Sequence, residues 1–214
     1  MNAPLTIAVP RGALMAGTLD LLDAIGVDTA EVRSNDRKLL FDDAGIVTMR
    51  PSDVPTYVEA GAADLGITGK DVLREQSERE VVELVDLGFG PCKMIFATEA
   101  GDPDPAREAL RRLGVMRIAT KYPKIATRHF ARTGRMAEIV EVHGSVELAP
   151  LTGLVEGIVD LTATGTTLRE NGLVIREELF DASARLIANP VSYRLKSAAI
   201  DRLLERVRAA GHPA

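Results

Sequence analysis

Short apolar runs alternate along this chain with stretches in which apolar residues recur every three or four positions, which is the pattern of alternating strands and helices. Residues 5–9 read as a strand ending at Pro10, Arg11 and Gly12. Met15, Leu19, Leu22 and Ile25 then follow at helical spacing up to Gly26. Residues 35–41 and 46–49 read as two strands of a hairpin around the acidic Asp42-Asp43-Ala44-Gly45 turn. After Arg50 and Pro51, Ser52 or Asp53 is placed to cap a helix carrying Val54, Val58 and Ala62. A strand at 65–67 leads through Thr68, Gly69 and Lys70 into a helix at 71–75. Strands at 81–87 and 94–97 flank Gly88, Phe89, Gly90, Pro91 and Cys92, punctuation dense enough for a domain crossover. The alternation then restarts. Ala106, Ala109, Leu110 and Leu113 form a helix stopped by Gly114, and a strand at 117–120 leads to Lys121-Tyr122-Pro123 and a helix to Thr133. Residues 174–180 and 185–188 read as strands returning towards the first half, and Ile200, Leu203, Leu204 and Val207 as a closing amphipathic helix. The expectation is an α/β fold of two lobes around a cleft, residues 1–91 with 180–214 in one and 92–179 in the other.

Composition sharpens this. With 46% hydrophobic but only 4% aromatic residues over 214 positions, the core is aliphatic, which suits buried parallel strands. A net charge of −5 argues against a nucleic-acid footprint, so anionic substrates would need a locally basic cleft. Cys92 is the only cysteine, which excludes an intrachain disulfide or a cysteine zinc cluster and fits a reducing compartment, the cytoplasm by default. His129, His143 and His212 lack metal-ligand spacing and read as structural or surface residues; no metal ligand is assigned. The first residues lack the basic and apolar regions of a signal peptide, and no run approaches membrane-spanning length, so no membrane contact is expected.

The chemistry concentrates at residues 158–168, IVDLTATGTTL. Ile158, Val159 and Leu161 supply a short buried strand; Thr162, Thr164, Thr166 and Thr167 supply hydroxyls; Gly165 lets the backbone turn with its N–H groups outward. A phosphate monoester fits such a loop. The other reading is a threonine capping the helix at Thr164 or Thr166. Asp160 would repel a phosphate unless aimed elsewhere, at sugar hydroxyls or a magnesium ion, so phosphate and acid together suggest a phosphorylated sugar. Three further positions lie at strand ends, where open α/β sheets place ligands. Arg11 and Gly12 form either a site or a plain turn, Arg50 either a ligand or an ion pair with Asp42, Asp43 or Asp53, and Lys121 either an anion ligand or a solvated loop residue.

The longer run 141–172, EVHGSVELAPLTGLVEGIVDLTATGTTLRENG, resembles the signature of the ATP phosphoribosyltransferases, with Glu147, Gly153, Asp160, Thr164, Gly165, Thr167 and Leu168 at its spacing. Val155 stands where a small residue is usual. The resemblance extends through residues 50–73 and the intact Lys121-Tyr122-Pro123 motif. In the first loop Arg11 takes a lysine's place and Ala13 an arginine's. The resemblance implies the two-lobed, periplasmic-binding-protein-like (type II) architecture and a reaction joining N1 of ATP to C1 of phosphoribosyl diphosphate (PRPP) with release of diphosphate, the first step of histidine biosynthesis. It implies Arg37 and Arg50 on the diphosphate, with Mg2+ as the accompanying ion. Thr162, Ala163, Thr164, Gly165, Thr166 and Thr167 would hold the 5′-phosphate, and Glu147 and Asp160 the ribose hydroxyls or the developing positive charge; for Glu147, helix capping from Ser145 is the other reading. Arg11, Gly12 and Lys121 would face diphosphate or ATP. A chain ending soon after its amphipathic helix resembles the short form, which implies a homodimer joined by a regulatory subunit similar to histidyl-tRNA synthetase in a hetero-octamer of four and four chains. A small-anion or phosphosugar binding module of the same fold, without catalysis, is the alternative.

Overall fold

Ile7–Pro10 (β1) is buried at all four positions, as an aliphatic strand must be when both faces of its sheet are covered. In the computed structural model, which describes residues 5–211, helix α1 (Met15–Ala24) follows it, then α2 (Ala30–Ser34), β2 (Leu40–Phe41), β3 (Ile46–Met49), α3 (Val54–Glu59), β4 (Leu65–Gly69), α4 (Lys70–Glu75) and β5 (Val82–Asp86). The chain then builds β6 (Cys92–Glu99), α5 (Pro105–Leu113), β7 (Met116–Thr120), α6 (Pro123–Arg132), β8 (Ala137–Glu141), α7 (Leu148–Leu151), β9 (Gly157–Thr162), α8 (Thr166–Glu170) and β10 (Leu173–Ala182). It closes with β11 (Ala184–Ala188), α9 (Pro190–Leu195) and α10 (Ser197–Ala209). His212 lies outside the described residues.

Two sheets result, each with its own unit. The first unit comprises the chain up to Pro91 and from Ser183 onward, the second Cys92–Ala182. In the first sheet the order is β2-β3-β1-β4-β11-β5, with β1 parallel to β3 and β4, and β11 antiparallel to β4 and β5. In the second it is β10-β6-β9-β7-β8, with β7 parallel to β8 and β9, and β6 antiparallel to β9 and β10.

Each sheet is sandwiched. In the first unit Leu19 and Leu22 of α1 and Ile25 just after it join Ile200, Leu204 and Val207 of α10 over Ile7 and Val9. The alternate strand positions Ala8 and Ile187 meet Val54 and Val58 of α3. Gly66 of β4 is required there, because a Cβ would stand 2.5 Å from Val54 Cγ1 and 2.7 Å from Val58 Cγ2. Its role is tight helix-on-strand packing. Asp64 closes the unit: its carboxylate accepts from Thr6 N–H (2.9 Å), Ser192 Oγ (2.7 Å) and Lys196 Nζ (2.8 Å), joining β1 to the C-terminal helices. In the second unit Met94, Phe96, Ala126, Phe130 and Val159 pack on one face, and Ile95, Ala97, Val146, Ala149, Ile158 and Leu168 on the other.

Four expectations are corrected. Residues 174–180 do not return to the first half: β10 pairs with β6 from Leu173↔Glu99 to Ala182↔Cys92, so the chain stays in the second sheet until Ala182 and the crossing falls after it instead of after 179. Residues 35–39 are not strand, because Asn35 Oδ1 accepts from the N–H groups of Arg37 and Lys38 (3.2 Å each) and turns the backbone; only Leu40–Phe41 pairs with β3. Helix α3 ends at Glu59, short of Ala62, and Asp53 at its N-cap makes no side-chain cap bond. Finally, α2, β8, α7 and α9 lie outside the elements that the pattern predicts.

Candidate active site

In the second unit, β7, β8 and β9 run parallel and side by side, so their carboxyl ends share one sheet edge. Strand β9 ends at Thr162, and the chain turns through Ala163, Thr164 and Gly165 into α8. Gly165 has φ +70°, a left-handed conformation that glycine adopts without cost. Side chains set the loop's shape: Gly165 N–H donates to Thr162 Oγ1 (2.9 Å), and the Thr164 and Thr166 hydroxyls are 2.9 Å apart. No side-chain cap bond is made by the N-cap residue, Gly165. From the next turn Arg169 reaches back, Nη1 to the Thr164 carbonyl and Nη2 to Thr166 Oγ1, both at 3.0 Å. Among the described residues the N–H groups of Ala163 and Thr164 have no acceptor, although both residues are exposed. The loop is thus held in shape by its own hydrogen bonds and by Arg169.

The neighbouring strand ends are latched to it. Thr120, the last residue of β7, donates its hydroxyl to the Val159 carbonyl (2.6 Å) and accepts from Tyr122 N–H (2.9 Å), which holds the Lys121 turn against β9 one residue before Asp160. The Asp160 carboxylate is buried and accepts from Leu161 N–H at 2.8 Å. From β8 the chain returns past Thr120 through a bond from Val142 N–H to the Thr120 carbonyl (3.0 Å), and the fully buried Val146 anchors the half-buried Glu147 beside it. Glu147 occupies the N-cap position of α7 without a side-chain cap bond, and Ser145 contributes only its carbonyl, to Leu148 N–H at 3.3 Å. One edge thus gathers Lys121, Glu147, Asp160 and the loop Thr162, Ala163, Thr164, Gly165, Thr166 and Thr167.

In the first unit β1 and β3 are parallel neighbours whose ends carry Arg11 and Arg50. The pair Pro10↔Met49 is extended by a bond from Arg11 N–H to the Met49 carbonyl at 2.7 Å. Arg50 is exposed, and among the described residues it forms no ion pair with Asp42, Asp43 or Asp53. Arg37 sits in the turn before β2, also exposed. Arg11 differs from both: its guanidinium donates to Thr48 Oγ1 (3.1 Å), to the Asp36 carbonyl and to the Lys38 carbonyl (3.3 Å). Gly12 has φ +81° with open space around it, so its requirement is the turn itself. Sequence reasoning missed Arg169, Thr120 and Thr48. Arg169 alone was signalled, by its three-residue spacing from Thr166. Among the described residues no three histidine, cysteine or carboxylate side chains gather to hold a metal ion.

His129 takes no part in either group. It is buried on α6 against the Phe130 ring, with Nε2 3.0 Å from Glu177 Oε2 and 3.0 Å from Arg135 Nη2. Burial holds its pKa below the ordinary imidazole value. Glu177 is held below the carboxylate range, chiefly by its hydrogen bonds from Arg135.

Fold and site together define an α/β protein of the periplasmic-binding-protein class that carries a threonine-glycine loop on one sheet edge. A model of the family ATP phosphoribosyltransferase matches residues 50–209. An ATP phosphoribosyltransferase of Rubrobacter xylanophilus is 52% identical over 211 residues, 98% of this chain and 97% of that protein, and one of Sorangium cellulosum is 46% identical over 98% and 97%. A solved structure of the ATP phosphoribosyl transferase (HisG:HisZ) complex from Thermotoga maritima superposes with TM-score 0.80 at 35% identity, covering 96% of this chain and 98% of that one. The periplasmic aliphatic sulphonate binding protein SsuA from Escherichia coli, 13% identical with TM-score 0.61 over 97% of this chain and 73% of its own, shares the fold. The chain belongs to the ATP phosphoribosyltransferase family.

Proposed function

We propose that the chain transfers the phosphoribosyl group of PRPP to N1 of the adenine of ATP, the first step of histidine biosynthesis. The adenine N1 lone pair forms the new bond to C1 as the C1–O bond to diphosphate breaks, and diphosphate leaves with that electron pair. No protein nucleophile takes part. The observation that carries this reading is the loop of threonine hydroxyls, with the Ala163 and Thr164 amides unpaired among the described residues, on the same sheet edge as Lys121, Glu147 and Asp160. The loop takes the 5′-phosphate; Asp160 and Glu147 hold ribose hydroxyls and face the positive charge that develops at C1. Arg50 and Arg37 stabilise the negative charge gathering on the departing diphosphate. Gly12 and Lys121 belong to the diphosphate or ATP subsites. In this reading Mg2+ enters as the counter-ion of the PRPP diphosphate and belongs to the substrate.

A HisZ-type regulatory partner is supported by the likeness to the Thermotoga complex. We infer a cytoplasmic homodimer of this chain, joined by a subunit similar to histidyl-tRNA synthetase in an assembly of four and four. The test is to mix ATP, PRPP and Mg2+ with the pure chain, alone and with that partner, and to follow the ultraviolet change of N1-substituted adenine. Product formation is expected in both, faster with the partner. PRPP binding without product in either mixture refutes the transfer reading and favours a phosphosugar-binding module.

A further inference from the structure

Among the described residues the side chain of the strand-end Arg50 makes no hydrogen bond or ion pair, whereas that of the strand-end Arg11 is occupied. The Arg11 guanidinium spans three acceptors: Nε donates to Thr48 Oγ1 at 3.1 Å, and Nη2 donates to the carbonyls of Asp36 and Lys38, the second at 3.3 Å. Those two carbonyls flank Arg37 on either side. Thr48 lies in β3 two residues before Arg50, it is buried, and its N–H donates to the Leu39 carbonyl at 2.7 Å. The turn is held from below by Asn35 Oδ1, which accepts from Arg37 and Lys38 N–H at 3.2 Å. No regular ladder fixes residues 36–38, because strand pairing begins only at Leu40.

We infer that Arg11 is a positioning residue: its planar fork clamps the backbone on both sides of Arg37 to the end of β3, and so presents Arg37 at the sheet edge that carries Arg50. This rests on the reading that Arg37 acts on the leaving diphosphate. The fork is what this chain has where the family pattern has a lysine. A lysine keeps the charge, but a single ammonium on a flexible stem does not span a hydroxyl and two carbonyls in a fixed plane. Misplacing an electrostatic donor by about 1 Å costs on the order of 10²-fold in rate, so the clamp is felt in turnover before it is felt in stability.

The test is a double-mutant cycle in the partner-bound enzyme, reading kcat, KM for PRPP and the thermal midpoint for Arg11→Lys, Arg11→Ala, Arg37→Ala and Arg11→Ala/Arg37→Ala. Arg11→Lys and Arg11→Ala are expected to lower kcat by a similar factor, about tenfold or more, with KM little changed. The double variant should be no slower than Arg37→Ala alone. Thr48→Val, which removes one of the three acceptors and keeps the shape, should lower kcat in the same direction by less. Wild-type turnover in Arg11→Lys would overturn the proposal, since charge alone would then suffice. So would effects that multiply in the double variant, because Arg11 would then act independently of Arg37. A silent Arg37→Ala would overturn it as well and would also remove Arg37 from the proposed function, which separates the two failures. If Arg11→Ala does not fold, Arg11→Lys and Thr48→Val decide the question by the same criteria.

Discussion

Replacing Gly165 by alanine probes the phosphate cradle with one methyl group. At φ +70° an L-residue is strained by about 1–2 kcal/mol, and the new Cβ would stand 3.2 Å from Arg169 Nη1, the group that ties the loop to α8. The unliganded loop relieves that strain by leaving its left-handed turn, which breaks the bond from Gly165 N–H to Thr162 Oγ1. PRPP must then restore the turn out of its own binding energy. At 1.4 kcal/mol per factor of ten, a strain of about 1–2 kcal/mol weakens PRPP binding roughly 5- to 30-fold. Gly114→Ala is the control: Gly114 has φ +74° at the end of α5, nothing lies within 4 Å of its Cβ position, and it is remote in sequence from the loop. Titration calorimetry with PRPP and a thermal melt on each variant complete the measurement. Both should lose stability, and only Gly165→Ala should lose affinity. Equal PRPP affinity in the two variants would refute the cradle.

Arg50→Ala should lower the single-turnover rate of the chemical step by on the order of 10²-fold while changing PRPP affinity less; rapid-quench kinetics checks this, and an unaltered chemical step would leave Arg50 without a catalytic role. Asp64→Asn removes the acceptor for Lys196 and should cost on the order of 2–3 kcal/mol in denaturant unfolding. Burial alone would raise the Asp64 pKa, but hydrogen bonds from Lys196, Ser192 and Thr6 hold it below the ordinary value of 3.8. Its contribution is therefore complete above that value and is lost as pH falls through the lower folded-state pKa, a slope that the variant should lack. His129, buried and depressed below 6.5, makes the wild type lose stability as pH falls below that value, because the unfolded chain binds the proton first. His129→Gln should flatten this part of the stability profile, and an unchanged slope would show that the imidazole is not the source.

Much of this site could be read from the chain because its signals are local. Strand, threonine-glycine turn and helix follow one another within residues 158–170, and each element's preference agrees with its neighbour's. Legibility failed where the decisive contact was remote. Residues 35–39 run straight into the strand Leu40–Phe41, but Asn35 turns their backbone and Arg11, far earlier in the chain, captures the carbonyls of Asp36 and Lys38. Strand β10 looked like part of a return because alternation gives a strand's faces without naming its sheet, and its two register irregularities blur even the alternation. The charge of Arg11 suggested a ligand for diphosphate; that its guanidinium is spent on hydroxyl and carbonyl oxygens is visible only in three dimensions.

The strand order of the first sheet also dictates a timetable. Among the described residues strand β5 is an edge paired with β11 alone, and β11 lies between β4 and β5 although it is made about a hundred residues after them. As the chain leaves the ribosome, Leu65–Gly69 and Val82–Asp86 must wait with unsatisfied backbone edges while the contiguous second unit, Cys92–Ala182, is synthesised and closes on itself. The first unit, begun before the second, is thus completed only after it, when β11, α9 and α10 have been made.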